Sequence, residues 1–464
     1  MIGFCSGIGT GLFIGTGSAY ANAGPAGLLL AYIVVGAVLW CVMQSIGELA
    51  TLIPTAGSFP HWATRFIDPS VGFSLAISYG YCYNTALASE GAPPSAGTAR
   101  PRSPAAPSRC CASSASSSPP SSSPPAAGPT TRPSAFPHNP GAWVDYNGIS
   151  GSTGHFLGFV AAFINASFSF IGIETVVVTA AESVNPHKAI PNAARRVTMR
   201  IGFFYIFGAL LIGLIVDPRE PGLVSGSGNA NSSPWVIAIR QAGINILPSI
   251  VNACILVSAW SAGNSYCWVG SRMIVAMTTD RQLPQIFGVT NKQGVPYVAV
   301  ITAWLFGPLA YLSLGSGGAA DAFNWLLSLS TIAGLIAWAT LCFCYIRFHR
   351  AMKVQGVSRD TLPWKAPFQP YAAWFGFVGS TVITFVAGFS VFLKGNWSTA
   401  DFVSSYIGIP IFIVPIIGWK LYHRTKFVRA HEIDLWSGRL HESEYVPEKP
   451  KPENFRERVS QWFS

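Results

Sequence analysis

The sequence predicts an all-α polytopic membrane protein with about ten transmembrane helices, on three observations. Only 10% of its 464 residues are charged, against about 25% in an ordinary soluble domain. Too few charges remain to cover a globule of that size. Half of the residues are hydrophobic and the mean hydropathy is +0.39. The apolar residues also gather into blocks about 20 residues long, enough to cross some 30 Å of hydrocarbon at about 1.5 Å per residue. This composition excludes a secreted disulfide scaffold, a disordered chain and a soluble nucleic-acid binder.

Taken in order, spans fall near 2–23, 26–52, 69–89, 155–180, 201–216, 247–276, 297–315, 322–346, 371–393 and 403–421. Residues 1–89 thus carry three spans, 154–425 seven more, and 426–464 a tail. Orientation follows from where the cations lie, because cytoplasmic loops collect Lys and Arg. The connection 182–200 holds Lys188, Arg195, Arg196 and Arg200, and 347–369 holds Arg347, Arg350, Lys353, Arg359 and Lys365. Both are read as cytoplasmic. The loops between carry the sequons Asn231-Ser232-Ser233 and Asn396-Trp397-Ser398, which belong outside. Both termini are therefore expected in the cytoplasm. The tail from Glu432 to Ser464 mixes both signs of charge with three prolines and reads as a solvated regulatory or trafficking segment.

One stretch breaks the pattern. Between Gly91 and Asn139, Ser, Pro and Ala supply 34 of 49 residues. Such a stretch buries too little apolar surface to offset its ordering entropy, and its prolines oppose a helix. It reads either as a flexible linker or as foreign sequence standing where native spans belong, within an anomalous region 90–153.

Two spans carry the marks of chemistry. The first holds Gly7-Ile8-Gly9-Thr10-Gly11-Leu12-Phe13-Ile14-Gly15-Thr16-Gly17, and the fourth holds Phe168-Ser169-Phe170-Ile171-Gly172-Ile173-Glu174. Freed backbone groups persist in a bilayer only where they pack in protein or line a cavity. Paired interrupted helices are the sequence sign of a midplane site, where N–H groups hold an anionic ligand group and carbonyls a cationic one. An amino acid presents both charges on one carbon. The cluster can equally be read as packing notches.

Glu174 lies well inside an apolar span, where a carboxylate costs on the order of 3 kcal/mol on insertion scales. It reads as a proton carrier or as a cap for freed N–H groups. Glu48, near the inner end of the second span, reads as a structural or gating ion pair. Ser261 and Asn264, in the polar run from Ser258 to Ser265, are candidates to line a cavity. No pair of histidines has metal-ligand spacing, the nine cysteines include no C-x-x-C, and neither a phosphate loop nor a nucleophile elbow occurs. No metal, cofactor or enzymatic activity is expected.

Gly9-Thr10-Gly11-Leu12-Phe13, the stretch from Ala23-Gly24-Pro25 to Gly47-Glu48-Leu49-Ala50, the run Phe168 to Glu174, and Ser258 to Asn264 resemble fungal amino-acid permeases of the amino acid-polyamine-organocation superfamily. The likeness continues through Arg281 to Pro296 and Phe368-Gln369-Pro370-Tyr371 and covers roughly 1–89 and 138–440. It implies a twelve-helix, proton-coupled amino-acid importer of the plasma membrane, with a five-plus-five inverted repeat followed by two further helices. By that analogy Gly9, Thr10 and Gly11 supply N–H groups to the substrate carboxylate. Phe168, Ser169 and Phe170 offer carbonyls to its ammonium group, and Glu174 couples the proton. The partners implied are a small amino acid, a proton and the lipid bilayer, with no nucleic acid. The sequence departs from the family in lacking a cytoplasmic N-terminal tail and the fourth and fifth helices, as an altered reading frame or splice boundary would produce. The alternative is a membrane amino-acid sensor that does not transport, or an inert product of a faulty gene model.

Overall fold

The structure is a computed structural model that describes residues 11–54, 58–91, 141–181, 183, 185–224, 233–243, 246–314 and 318–439. Gly9, Thr10, nearly all of the Ser/Pro/Ala-rich stretch and the end of the tail lie outside these. Among the described residues every regular element is helical, with one isolated β-bridge between Tyr146 and Ile149.

A short π-helical turn, Gly11–Gly15, leads into α1 (Thr16–Leu52). At Gly24 α1 breaks, with φ 72° and ψ 178°, and Pro25 follows without an N–H to continue the ladder. The break is filled from outside the helix. The Ala26 amide donates to the Ala142 carbonyl at 2.9 Å, and a Cβ on Gly24 would meet the Trp143 and Val144 backbone at 3.0–3.1 Å. The boundary expected between the first two spans falls at this point.

The short helix α2 (Ser58–Phe66) is followed by α3 (Pro69–Gly91), and α4 (Ser152–Phe170) by α5 (Thr175–Ala181). Then α6 (Pro186–Arg200) runs through a π-helical stretch, Ile201–Phe207, into α7 (Gly208–Ile215). The sequence reading placed a loop over 182–200, whereas the span begins as a helix at Pro186. Its buried residues Pro186, Ile190, Ala194 and Val197 recur at helical spacing, but the exposed cations between them hide the apolar stripe from any search for apolar blocks.

Next come α8 (Pro234–Gln241), α9 (Leu247–Thr279), α10 (Tyr297–Trp304), α11 (Gly318–Val354) and α12 (Tyr371–Val386). The final span is bent by 52° between α13 (Thr399–Tyr406) and α14 (Gly408–His423), where a straight helix over 403–421 was expected. Four runs are long and apolar enough to cross a membrane: Thr16–Leu52, Ser152–Val177, Pro186–Ile215 and Ser328–Val354, with the bent pair as a fifth.

α1 lies against α4, α6, α11 and α12, while α3 lies between α9, α11 and α14. Their shared core places Tyr20, Tyr32, Tyr79, Tyr83 and Trp338 out of solvent.

The tail differs from its expectation over its first turns. Ile433 and Leu435 are buried, Arg65 of α2 pairs with Asp434, and Gln355 donates to the Ala430 and Ile433 carbonyls. Two apolar side chains in a mixed-charge segment carry no periodic signal, so only the folded chain reveals where they dock.

Candidate functional site

The site is built where two breaks meet. α4 ends at Phe170, Ile171 turns extended (φ −60°, ψ 138°), and Gly172 takes φ 93°, a left-handed conformation that favours glycine. Across from this break stands the π-helical turn after the first glycine cluster. A Cβ on Gly11 would lie 2.9 Å from the Ser169 Cα and 3.1 Å from the Phe168 Cδ1, so only glycine lets the two backbones approach this closely. Three predicted residues, Gly11, Phe168 and Ser169, are thereby brought together, with Phe170 next in the chain. Gly9 and Thr10 lie outside the described residues.

Hydroxyls stitch the two breaks together. The Thr16 hydroxyl donates to the Leu12 carbonyl at 2.7 Å and lies 2.9 Å from the Tyr32 hydroxyl. Tyr32 in turn lies 3.2 Å from the Ser169 hydroxyl, which donates to the Asn165 carbonyl at 2.8 Å. The three carbonyls expected to face an ammonium group are each already in use at least once. Phe168 accepts from the Ile171 amide at 3.2 Å, Ser169 from the Tyr205 hydroxyl at 3.0 Å, and Phe170 from the Ile173 amide at 3.3 Å. Each carbonyl oxygen keeps a second lone pair.

Glu174 sits in the turn between α4 and α5 and is fully buried. Its Oε1 accepts from the Tyr79 hydroxyl at 2.5 Å and from the Tyr83 hydroxyl at 3.0 Å, and these two hydroxyls are 2.7 Å apart. Oε2 is buried without a well-formed side-chain hydrogen bond among the described residues, and the Gly172 and Glu174 backbone amides point at the carboxyl. Tyr79 and Tyr83, one turn apart on α3, are functional candidates that sequence reasoning missed. In the run Ser78-Tyr79-Gly80-Tyr81-Cys82-Tyr83 a tyrosine reads as span filler. The usable signal was the four-residue spacing, which puts Tyr79 and Tyr83 on one face.

On α9 the side chain that reaches the break is Tyr266, whose hydroxyl donates to the Ile171 carbonyl at 3.3 Å. Asn264 is exposed and Ser261 half-buried, and neither is hydrogen-bonded to the break. Two residues are about 200° of helix, which turns Asn264 away when Tyr266 points in.

Glu48 occupies a different setting. Arg359 donates to both its oxygens, at 2.9 and 2.6 Å, and the Tyr345 hydroxyl and Ala366 amide donate at 2.8 Å each. The expected ion pair is present, and its partner is a loop residue that the sequence reading counted only as an orientation signal.

Comparison with known proteins places the chain in a family. Residues 1–92 and 118–432 match the amino acid permease family. The chain belongs to that family. The interval left between the matched segments falls inside the Ser/Pro/Ala-rich stretch. A proline-specific permease of Emericella nidulans is 36% identical over 507 residues, covering 100% of this chain and 91% of the relative. That alignment is longer than the chain's 464 residues, so the relative has residues without a counterpart here. A lysine-specific permease of Saccharomyces cerevisiae is 35% identical over 99% of this chain and 80% of its own length. A probable proline-specific permease of Schizosaccharomyces pombe is 35% identical over 98% and 90%. The permease is a multi-pass membrane protein that functions in amino-acid transport, and its relatives are transporters.

Proposed function

We propose that this permease imports amino acids together with protons by alternating access, with Glu174 as the proton carrier. The observation that carries the reading is the triangle of Glu174 Oε1, Tyr79 Oη and Tyr83 Oη. Three contacts join these oxygens, at 2.5, 3.0 and 2.7 Å, but two phenols supply only two protons. With the carboxylate ionised, one contact has no hydrogen to fill it. A proton on the carboxyl completes the ring: the carboxyl donates to Tyr79, Tyr79 to Tyr83, and Tyr83 back to the carboxyl. The ring therefore tolerates both states of Glu174, a requirement for a group that takes up and gives up a proton during a cycle.

In this reading the substrate carboxylate meets the amides of Gly9, Thr10 and Gly11, and its ammonium group meets the second lone pairs of the Phe168, Ser169 and Phe170 carbonyls. Support comes from the contact of Gly11 with Ser169, which puts the two ends of a zwitterion's cradle side by side. Tyr32 and Thr16 hold the two breaks in register. Ser261 and Asn264 take no part in this arrangement of the site. Both termini face the cytoplasm of a plasma-membrane protein, and the Ser/Pro/Ala-rich stretch replaces two helices of the first repeat.

Uptake of labelled proline and lysine into a permease-deficient host tests the proposal, with and without a protonophore. Accumulation that collapses with the proton gradient, and is abolished in Glu174→Gln, is the expected result. Uptake indifferent to the gradient removes the coupling role of Glu174. The Ser/Pro/Ala-rich stretch favours a second reading, a sensor that binds without transporting. Ligand-induced thermal stabilisation of the purified chain with null uptake would mark it.

A further inference from the structure

A cavity of about 560 Å³ opens between α4, α11 and the turn leading into α13. Its lining includes Ile164, Trp325, Ser328, Asn396, Asp401 and Ser404. Ile164 lies on α4, one helical turn before Phe168, so the cavity opens beside the helix that ends in the break, and Ala387, Ser390, Val391 and Asn396 line it from the segment between α12 and α13. Its chemistry is one-sided. Among the described residues of the lining Asp401 is the one charged side chain, an indole lines the wall, and the remaining polar groups are hydroxyls and an amide that can offer oxygen. The Asp401 amide caps α13 by donating to the Ser398 hydroxyl at 3.3 Å, while its carboxylate joins no ion pair or hydrogen bond among the described residues.

We propose that this cavity is an outer cation site, which receives the ammonium or guanidinium end of a basic solute on Asp401 and Trp325 before it reaches the central cradle. A cavity lined by a carboxylate, an indole and hydroxyl oxygens is a setting that favours an organic cation. Single-sign clefts also raise the local concentration of the opposite charge, so the site discriminates against acidic solutes. Only the transport consequence rests on the import reading above; binding in the cavity does not.

The probe is agmatine, a guanidinium and an amine with no carboxylate for the central cradle. Added to the purified full chain in nanodiscs, agmatine should raise the thermal midpoint. Asp401→Asn and Asp401→Lys should each abolish the shift, and Trp325→Leu should reduce it. Glu174→Gln should retain it, which separates this site from the proton carrier. In whole cells Asp401→Lys should shift the preference for lysine over glutamate by about tenfold toward glutamate. Absence of any agmatine shift in the unaltered chain overturns the proposal, and so does a shift equal in Asp401→Lys. Failure of all uptake would sink the import reading and leave the agmatine measurement to decide this one.

Discussion

Glu48 and Glu174 are both buried carboxylates on membrane helices, yet their surroundings differ in kind. Glu48 faces a guanidinium fork, a phenol and a backbone amide, so both its oxygens are satisfied and its charge is matched. Glu174 faces two phenols on one oxygen and has no cation among its hydrogen-bond partners. A carboxylate forked by a guanidinium has its charge compensated within the fold. One held by neutral donors can exist with or without its proton. Burial alone therefore marks neither as functional; the partner decides.

The largest expected effect lies at the fixed pair. Glu48→Ala leaves Arg359 without its carboxylate, keeping only the Ala366 carbonyl as acceptor, and frees the loop that Ala366 and Arg359 tie to α1. Breaking one side of a fully buried pair costs about 3–5 kcal/mol. Arg359 keeps 29% of its side chain exposed and regains part of that from solvent, so the purified variant should lose less than that full cost and still unfold at a lower temperature. Glu48→Ala combined with Arg359→Ala should recover part of that loss. If the double variant is no more stable than Glu48→Ala alone, the uncompensated charge is not what the pair suppresses.

At Glu174 the effect should be smaller in stability and, on the proposed role, larger in coupling. Tyr79→Phe removes one of two donors to Oε1, and an unsatisfied buried group costs about 1–3 kcal/mol. The chain should fold, while gradient-driven accumulation falls by an order of magnitude or so, the low end of what a proton-transfer partner contributes. In a Glu174→Gln background the same substitution should have little further effect on uptake. Additive losses would show that Tyr79 acts apart from Glu174, and the contrast with Glu48 would then lose its mechanistic meaning.

Sequence reasoning reached Glu174 because a charge in an apolar run stands out, and reached Gly11 because six glycines in one span do. It reached Glu48 for the first of these reasons. Their partners were hidden by the same logic in reverse. Tyr79 and Tyr83 are amphipathic residues that suit a span whether or not they donate to anything, and a cation such as Arg359 in a loop rich in Lys and Arg is accounted for as an orientation signal without needing a buried acceptor. The breaks at Gly24 and Gly172 were legible because glycine in a membrane helix is a local signal. The bend between α13 and α14 carried a local sign too, because Gly408 opens α14 and Pro410 has no N–H to bond the Tyr406 carbonyl, but the apolar run over 403–421 hid it.

A third pair sharpens the comparison from the weak side. Arg65 and Asp434 lie 3.2 Å apart with the Asp434 side chain 47% exposed, so the bridge is worth at most about 1 kcal/mol. Partial burial works against the ionised Asp434, but donors from Ser437 and Trp436 and the nearby Arg65 charge outweigh it and hold the carboxyl at about 2 against an ordinary 3.8. A carboxyl depressed on folding contributes above its unfolded value and loses that contribution as pH falls through the folded one. The contribution is thus complete at pH 5 and fades between 3.8 and about 2. Hydrogen exchange across 424–439 should be unchanged from pH 7 to 5, once corrected for intrinsic rates, and should rise in excess of that correction below about pH 3. Asp434→Asn should remove the pH step and loosen the segment slightly at every pH. A step that survives in Asp434→Asn would assign it to another carboxylate in contact with the segment, such as Asp68, which accepts from Thr425 at 2.8 Å and pairs with Lys420 at 3.1 Å.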